Sequence, residues 1–101
     1  MYYQIKKYKK DGEIIFPIKS ICETDFPNHH PHHAMYEALN YFDDVKREAR
    51  AMRNILASDR HREKWTDAER KSHYDNAIHK IEYIEHDEEG VGNVITENVF
   101  S

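Results

Sequence analysis

A single cysteine, Cys22, three glycines and three prolines are all that this 101-residue chain holds of the residues that cross-link or punctuate a fold. One thiol excludes an intramolecular disulfide and a cysteine-rich zinc site. No apolar run approaches the length needed to span a bilayer. The opening Met1-Tyr2-Tyr3-Gln4-Ile5-Lys6-Lys7 has no apolar core of leader-peptide length behind its lysines. These absences point to a cytoplasmic protein with no membrane partner. Catalytic signatures are missing as well. Ser20, Ser58 and Ser72 sit in no G-x-S-x-G elbow, there is no P-loop or G-x-G-x-x-G, and Cys22 has no basic cluster beside it. The expectation is a protein that is not an enzyme and carries no cofactor.

What is present is charge and aromatic bulk. Charged residues make up 34% of the chain and hydrophobic ones 39%, so the core must be thin. Seven tyrosines and four phenylalanines compensate, because each buries a large area. The net charge of −4 hides an alternation: residues 1–20 carry +3, 21–43 carry −4, 44–71 carry +3 and 72–101 carry −6. Two arrangements would produce it. Opposite blocks could face each other in the fold, or the surface could be bipolar and steer a charged partner.

Asp11-Gly12 lies between β-prone runs over 2–9 and 13–21, which predicts a β-hairpin. A three-residue loop pairing Lys9 with Glu13 and Tyr8 with Ile14 is preferred, because it groups Tyr8, Ile14 and Phe16. Pro17 has no N–H to give, so the second strand should be an edge or carry a bulge. From about His33 to Ala57, Phe42, Val45, Ala49, Met52 and Leu56 keep an a/d spacing, extended upstream by Met35 and Leu39. This predicts an amphipathic helix, in which Asp43 can pair with Arg47. Residues 58–65 read as a connection. Thr66-Asp67-Ala68-Glu69 matches a capping box, and Ala68, Tyr74, Ala77, Ile78, Ile81 and Ile84 predict a second helix running to about His86. Residues 93–100 are β-prone and could add a third strand. The implied fold is a single α+β domain, an N-terminal β-hairpin packed against a long antiparallel two-helix hairpin.

Several clusters invite chemistry. His29, His30, His32 and His33 flank Pro31, yet adjacent side chains of an extended segment point apart, which argues against one preformed metal site. His79, Glu82 and His86 would share one stripe of the second helix and could hold a metal. Lys46, Arg50 and Arg53 form a basic helical stripe that could meet nucleic-acid phosphates, with Arg60, Arg62 and Lys64 adding a basic connection. The chain as a whole is acidic, unlike a dedicated nucleic-acid binder.

The acidic run breaks a local rule. Glu82, Glu85, Asp87, Glu88 and Glu89 crowd what should be the C-terminal end of the second helix, where the dipole prefers cations. Such conflicts mark functional surfaces. In overall character (short, charged, tyrosine-rich and free of catalytic motifs) the chain resembles small accessory proteins of phages and mobile elements. That resemblance implies occlusion of a host enzyme's surface. The leading expectation is therefore a binding or regulatory protein that meets a protein partner through its acidic run, in the manner of an inhibitor of a nucleic-acid-handling or defence enzyme. The alternatives are nucleic-acid binding through Lys46, Arg50 and Arg53, and metal binding through the histidines. The apolar seam of the first helix could also pair two copies of the chain.

Overall fold

A computed structural model describes residues 1–58 and 64–100. Four antiparallel strands form one sheet: β1 (Tyr2–Tyr8), β2 (Ile14–Cys22), β3 (Lys80–Asp87) and β4 (Gly90–Asn98), in the spatial order β2-β1-β3-β4. Between the two hairpins the chain makes a 3₁₀ turn at Glu23–Asp25, a long helix α1 (His33–Ala57) and a short helix α2 (Asp67–Asn76). The connection expected over 58–65, with Arg60 and Arg62, lies largely outside the described residues.

The first hairpin takes the preferred register. Tyr8 faces Ile14, and Lys9 N–H donates to Glu13 C=O around a loop closed by Gly12 at φ 89°. Only glycine adopts that φ at no steric cost. Pro17 acts as its chemistry requires, on an edge strand and within an irregularity of the ladder. Ile5 faces Lys19 and Lys7 faces Ile15, so the segment around the cis Phe16–Pro17 bond bulges out. Phe16 leaves the intended cluster and is exposed.

Helix α1 has the predicted bounds and lies across one face of the sheet. Its buried face is Ala34, Ala38, Phe42, Val45, Ala49 and Leu56, while Met35 and Leu39 are only partly covered. Small alanines at the N-terminal half bring the helix close to Tyr3, Ile5, Ile21, Ile81 and Tyr83 of the sheet. Of the seam offered for pairing two chains, Phe42, Val45, Ala49 and Leu56 are buried within one chain, whereas Met52 is exposed. Asp43 pairs with Lys46, and Arg47 with Asp44, in place of the expected Asp43–Arg47 pair.

The second helix is the main correction. Its start is as read: Thr66 accepts from Glu69 N–H and the Glu69 side chain reaches back to Thr66 N–H. It stops at Asn76, where Ala77 turns extended at ψ 163°. Residues 80–87 are not helical; they form β3, a central strand with β1 on one side and β4 on the other. The fold is therefore a four-stranded antiparallel sheet with one long helix packed on it, not a hairpin on a long helical pair. The β-prone C-terminal segment does join the sheet, as β4. Among the described residues no helix is long and apolar enough to cross a membrane.

Candidate binding surface at the acidic end

Because β1 and β3 run antiparallel, Tyr2 faces His86 and Tyr8 faces Lys80. This register sends the two hairpin turns to opposite ends of the sheet. The Lys9-Lys10 turn lies at one end and the Glu88-Glu89 turn at the other, on a body 52 Å long and about 22 Å thick (23 × 21 Å in cross-section). The Lys-rich turn therefore does not cover the acidic one.

At the lysine end three acids have partners. Lys10 reaches Asp75 at 4.0 Å, Arg50 of α1 pairs with Glu97 of β4, and Tyr8 donates to Glu82. At the opposite end, Tyr2 brings Cys22 and His86 to its two sides, so the 3₁₀ turn of Glu23 and Asp25 comes beside the acidic turn. No Lys or Arg occurs over residues 20–45 or 81–100. Among the described residues none pairs with Glu85, Asp87, Glu88 or Glu89. The alternating blocks of the sequence are thus sorted along the long axis.

The acidic residues divide by what they touch. Glu82 sits mid-strand, occupied by the Tyr8 hydroxyl, and is not part of the acidic end. Glu85 accepts the Tyr83 hydroxyl at 2.9 Å and the Asn93 amide at 3.3 Å. Burial pushes the Tyr83 phenol up, and its bond to Glu85 raises it further. Asp87 accepts Glu89 N–H at 2.8 Å and holds the turn, which Gly90 completes at φ 127°. Glu88 and Glu89 project from the turn, exposed. The dipole conflict read from the sequence does not exist, since no helix ends here.

The histidine loop lies at the same end, ahead of α1. His29 stacks on His33 with centroids 4.2 Å apart, His30 on His32 at 4.9 Å, and Phe26 packs edge-on against His33. A shallow cleft of about 330 Å³ opens between Glu23, Phe26 and His30. The stripe His79, Glu82 and His86 is not assembled. His79 precedes β3 and its ring Nε2–H donates to Tyr74 C=O at 2.8 Å, whereas His86 stacks on Tyr2 (4.4 Å, 6°) and donates to the Gln4 side-chain oxygen. Among the described residues no three His, Cys, Asp or Glu side chains gather as a metal site.

The basic stripe is engaged with the chain itself. Lys46 bonds Asp43 at 3.0 Å, Arg50 bonds Glu97, and Arg53 donates to Val99 C=O at 3.0 Å. The Lys46 pair lies within α1, and the Arg50 and Arg53 contacts tie the helix to the end of β4 and the residue that follows it. Sequence reasoning missed the part that Glu23 and Asp25 play in the acidic end. Only the β1–β3 register reveals it, and that register was hidden while β3 read as helix. Comparison with protein-family models, curated proteins and solved structures finds no match to this chain.

Proposed function

We propose that this chain is a small, non-enzymatic, cytoplasmic binding protein that regulates a larger protein by occupying a basic surface on it, in the manner of a phage-type inhibitor of a nucleic-acid-handling or defence enzyme. The observation that carries this reading is the segregation of charge. Glu88 and Glu89 project at one end of a long body, with Glu85, Asp87, Glu23 and Asp25 around them; the Met1 ammonium pairs with Glu23 at 3.5 Å, and among the described residues no Lys or Arg pairs with any of them. A field of one sign at one end steers a partner of the opposite sign and orients it on arrival. Basic grooves that bind nucleic acid have that opposite sign. Supporting it, Lys46, Arg50 and Arg53 of α1 are engaged by Asp43, Glu97 and the Val99 carbonyl of the same chain.

The test is a capture experiment with the chain from its native host extract, paired with Glu88→Lys/Glu89→Lys. The expected result is a basic protein retained by the natural chain, lost with the double variant, and weakened by salt. Retention of the same partner by the double variant sinks the proposal. So does a chain that shifts nucleic acid at low salt through Lys46, Arg50 and Arg53.

A further inference from the structure

The two edges of the sheet differ. On β2, Pro17 lacks an N–H, the ladder is irregular between Ile5 and Lys7, and Lys19 adds charge. Bulges, prolines and lysines are how a sheet edge is kept from pairing with another chain. On β4, residues 90–98 (Gly-Val-Gly-Asn-Val-Ile-Thr-Glu-Asn) contain no proline, lysine or arginine. One irregularity lies between Ile84 and His86, where Gly92 and Asn93 oppose Glu85. From Val94 onward the strand is regular, and it exposes Val94 at 47% and Ile95 at 45%.

The ladder also fixes which backbone groups are available. Val99 N–H donates to His79 C=O at 2.9 Å. Hydrogen-bonded and non-bonded pairs alternate in an antiparallel ladder. Glu97 and Ile95 therefore bond β3, while Val94 and Thr96 turn their N–H and C=O away from it.

We infer that β4 is a docking edge for a second copy of this chain, the two β4 strands pairing antiparallel about a two-fold axis at Ile95. Two features select a second copy over an unrelated strand. The first is self-complementarity. Centred on Ile95, Val94 of each copy faces the partner's Thr96 and exchanges the outward N–H and C=O groups with it. The β-branched side chains of Val94 and Thr96 meet on one face. On the other face Ile95 meets itself, and Asn93 meets Glu97, an amide against a carboxylate. No like charges oppose each other, as they would if the axis passed through Glu97. The second feature is charge. Antiparallel pairing about a two-fold lays the acidic half of each copy beside the lysine-bearing half of the other, so two bipolar bodies associate with their fields opposed. The result is one continuous eight-stranded sheet with the α1 helices on the same side. This inference stands apart from the proposed function, because it needs no partner other than the chain itself.

The experiment is sedimentation equilibrium of the untagged full chain over a concentration series. The expected weight-average mass rises from 12.1 kDa toward twice that value. Thr96→Pro removes an outward N–H and no β3–β4 bond, so it should leave the circular dichroism spectrum unchanged and hold the mass at that of one chain. Val94→Lys should do the same through charge, and it serves if the proline disturbs the strand. Register is read with Ile95→Cys in a Cys22→Ser background. Non-bonded antiparallel pairs stand about 4.5 Å apart at Cα, which is within disulfide reach, so mild oxidation should link the two copies. A natural chain that stays monomeric across the series overturns the inference. Dimers that persist undiminished in both edge variants overturn it too, as does an Ile95→Cys chain that dimerises and fails to cross-link.

Discussion

Tyr8 of β1 donates its phenol proton to the Glu82 carboxylate of β3, and the Lys80 ammonium stands 4.4 Å over the face of the same ring. Burial first, then the bond to Glu82 and its charge, push the Tyr8 phenol up to about 12 from an ordinary value of 10.0. Tyr83 and Tyr3 are raised too, chiefly by burial. The folded state therefore keeps protons that the unfolded chain gives up above 10. Stabilisation from Tyr8 is complete below pH 10 and is lost as pH rises through about 12. Urea unfolding midpoints should fall over that window. Tyr8→Phe should flatten the fall, and an unchanged pH slope in that variant would show the bond to be without energetic consequence.

Core packing against α1 yields a second expectation. Phe42 is buried beside Tyr83, with centroids 6.1 Å apart at a 60° tilt, and Ala38 is wholly covered where the helix approaches the sheet. Phe42→Ala should cost about 3–5 kcal/mol, since few neighbours can collapse into the space. Ala38→Leu should cost about 1–3 kcal/mol for the opposite reason, because the helix must lift from Tyr3 and Ile5. Denaturant titration measures both. A neutral Ala38→Leu would mean that α1 stands farther from the sheet than the structure places it.

Why β3 hid in the sequence follows from the same packing. Ala77, Ile78, Ile81 and Ile84 fall three and four apart, the spacing of a helix face. In the structure Ile81 and Tyr83 point to α1, while Ile84 lies on the other face and is still buried at 8% exposure. Burial alternates over Lys80–Tyr83 but breaks at Ile84, which is buried next to Tyr83 in sequence, and the capping box at Thr66 supplied a true helix start just upstream. The elements set by local chemistry were legible: the Asp11-Gly12 hairpin and its register, the edge position of Pro17, and the bounds of α1. Those set by long-range pairing were not. The acidic residues were legible as a group, but their isolation at one end depends on Tyr2 facing His86, a pairing 84 positions apart in sequence.

The capping box of α2 gives a local test of that division. Thr66 accepts Glu69 N–H at 3.1 Å, and α2 is anchored at its far end by Tyr74, edge-on to Phe100 at 5.1 Å. Thr66→Ala should cost about 1 kcal/mol. The loss should appear in the global unfolding transition if Tyr74 couples α2 to the sheet. A drop in helicity alone, with the global midpoint unmoved, would show that α2 frays independently.

The acidic end separates folding from binding residue by residue. Glu88 and Glu89 are exposed and make no side-chain bond within the described residues, so Glu88→Lys and Glu89→Lys should each change stability by less than about 0.5 kcal/mol. Glu85 differs, since it accepts both the Tyr83 hydroxyl and the Asn93 amide. Glu85→Lys leaves the buried Tyr83 hydroxyl without its acceptor and should cost about 1–3 kcal/mol, the range for a buried polar group left unsatisfied. Thermal melts of the three variants check the contrast. Equal destabilisation by all three would mean that the turn residues contribute to the fold, and that any binding they lose on reversal reports unfolding instead of a contact surface.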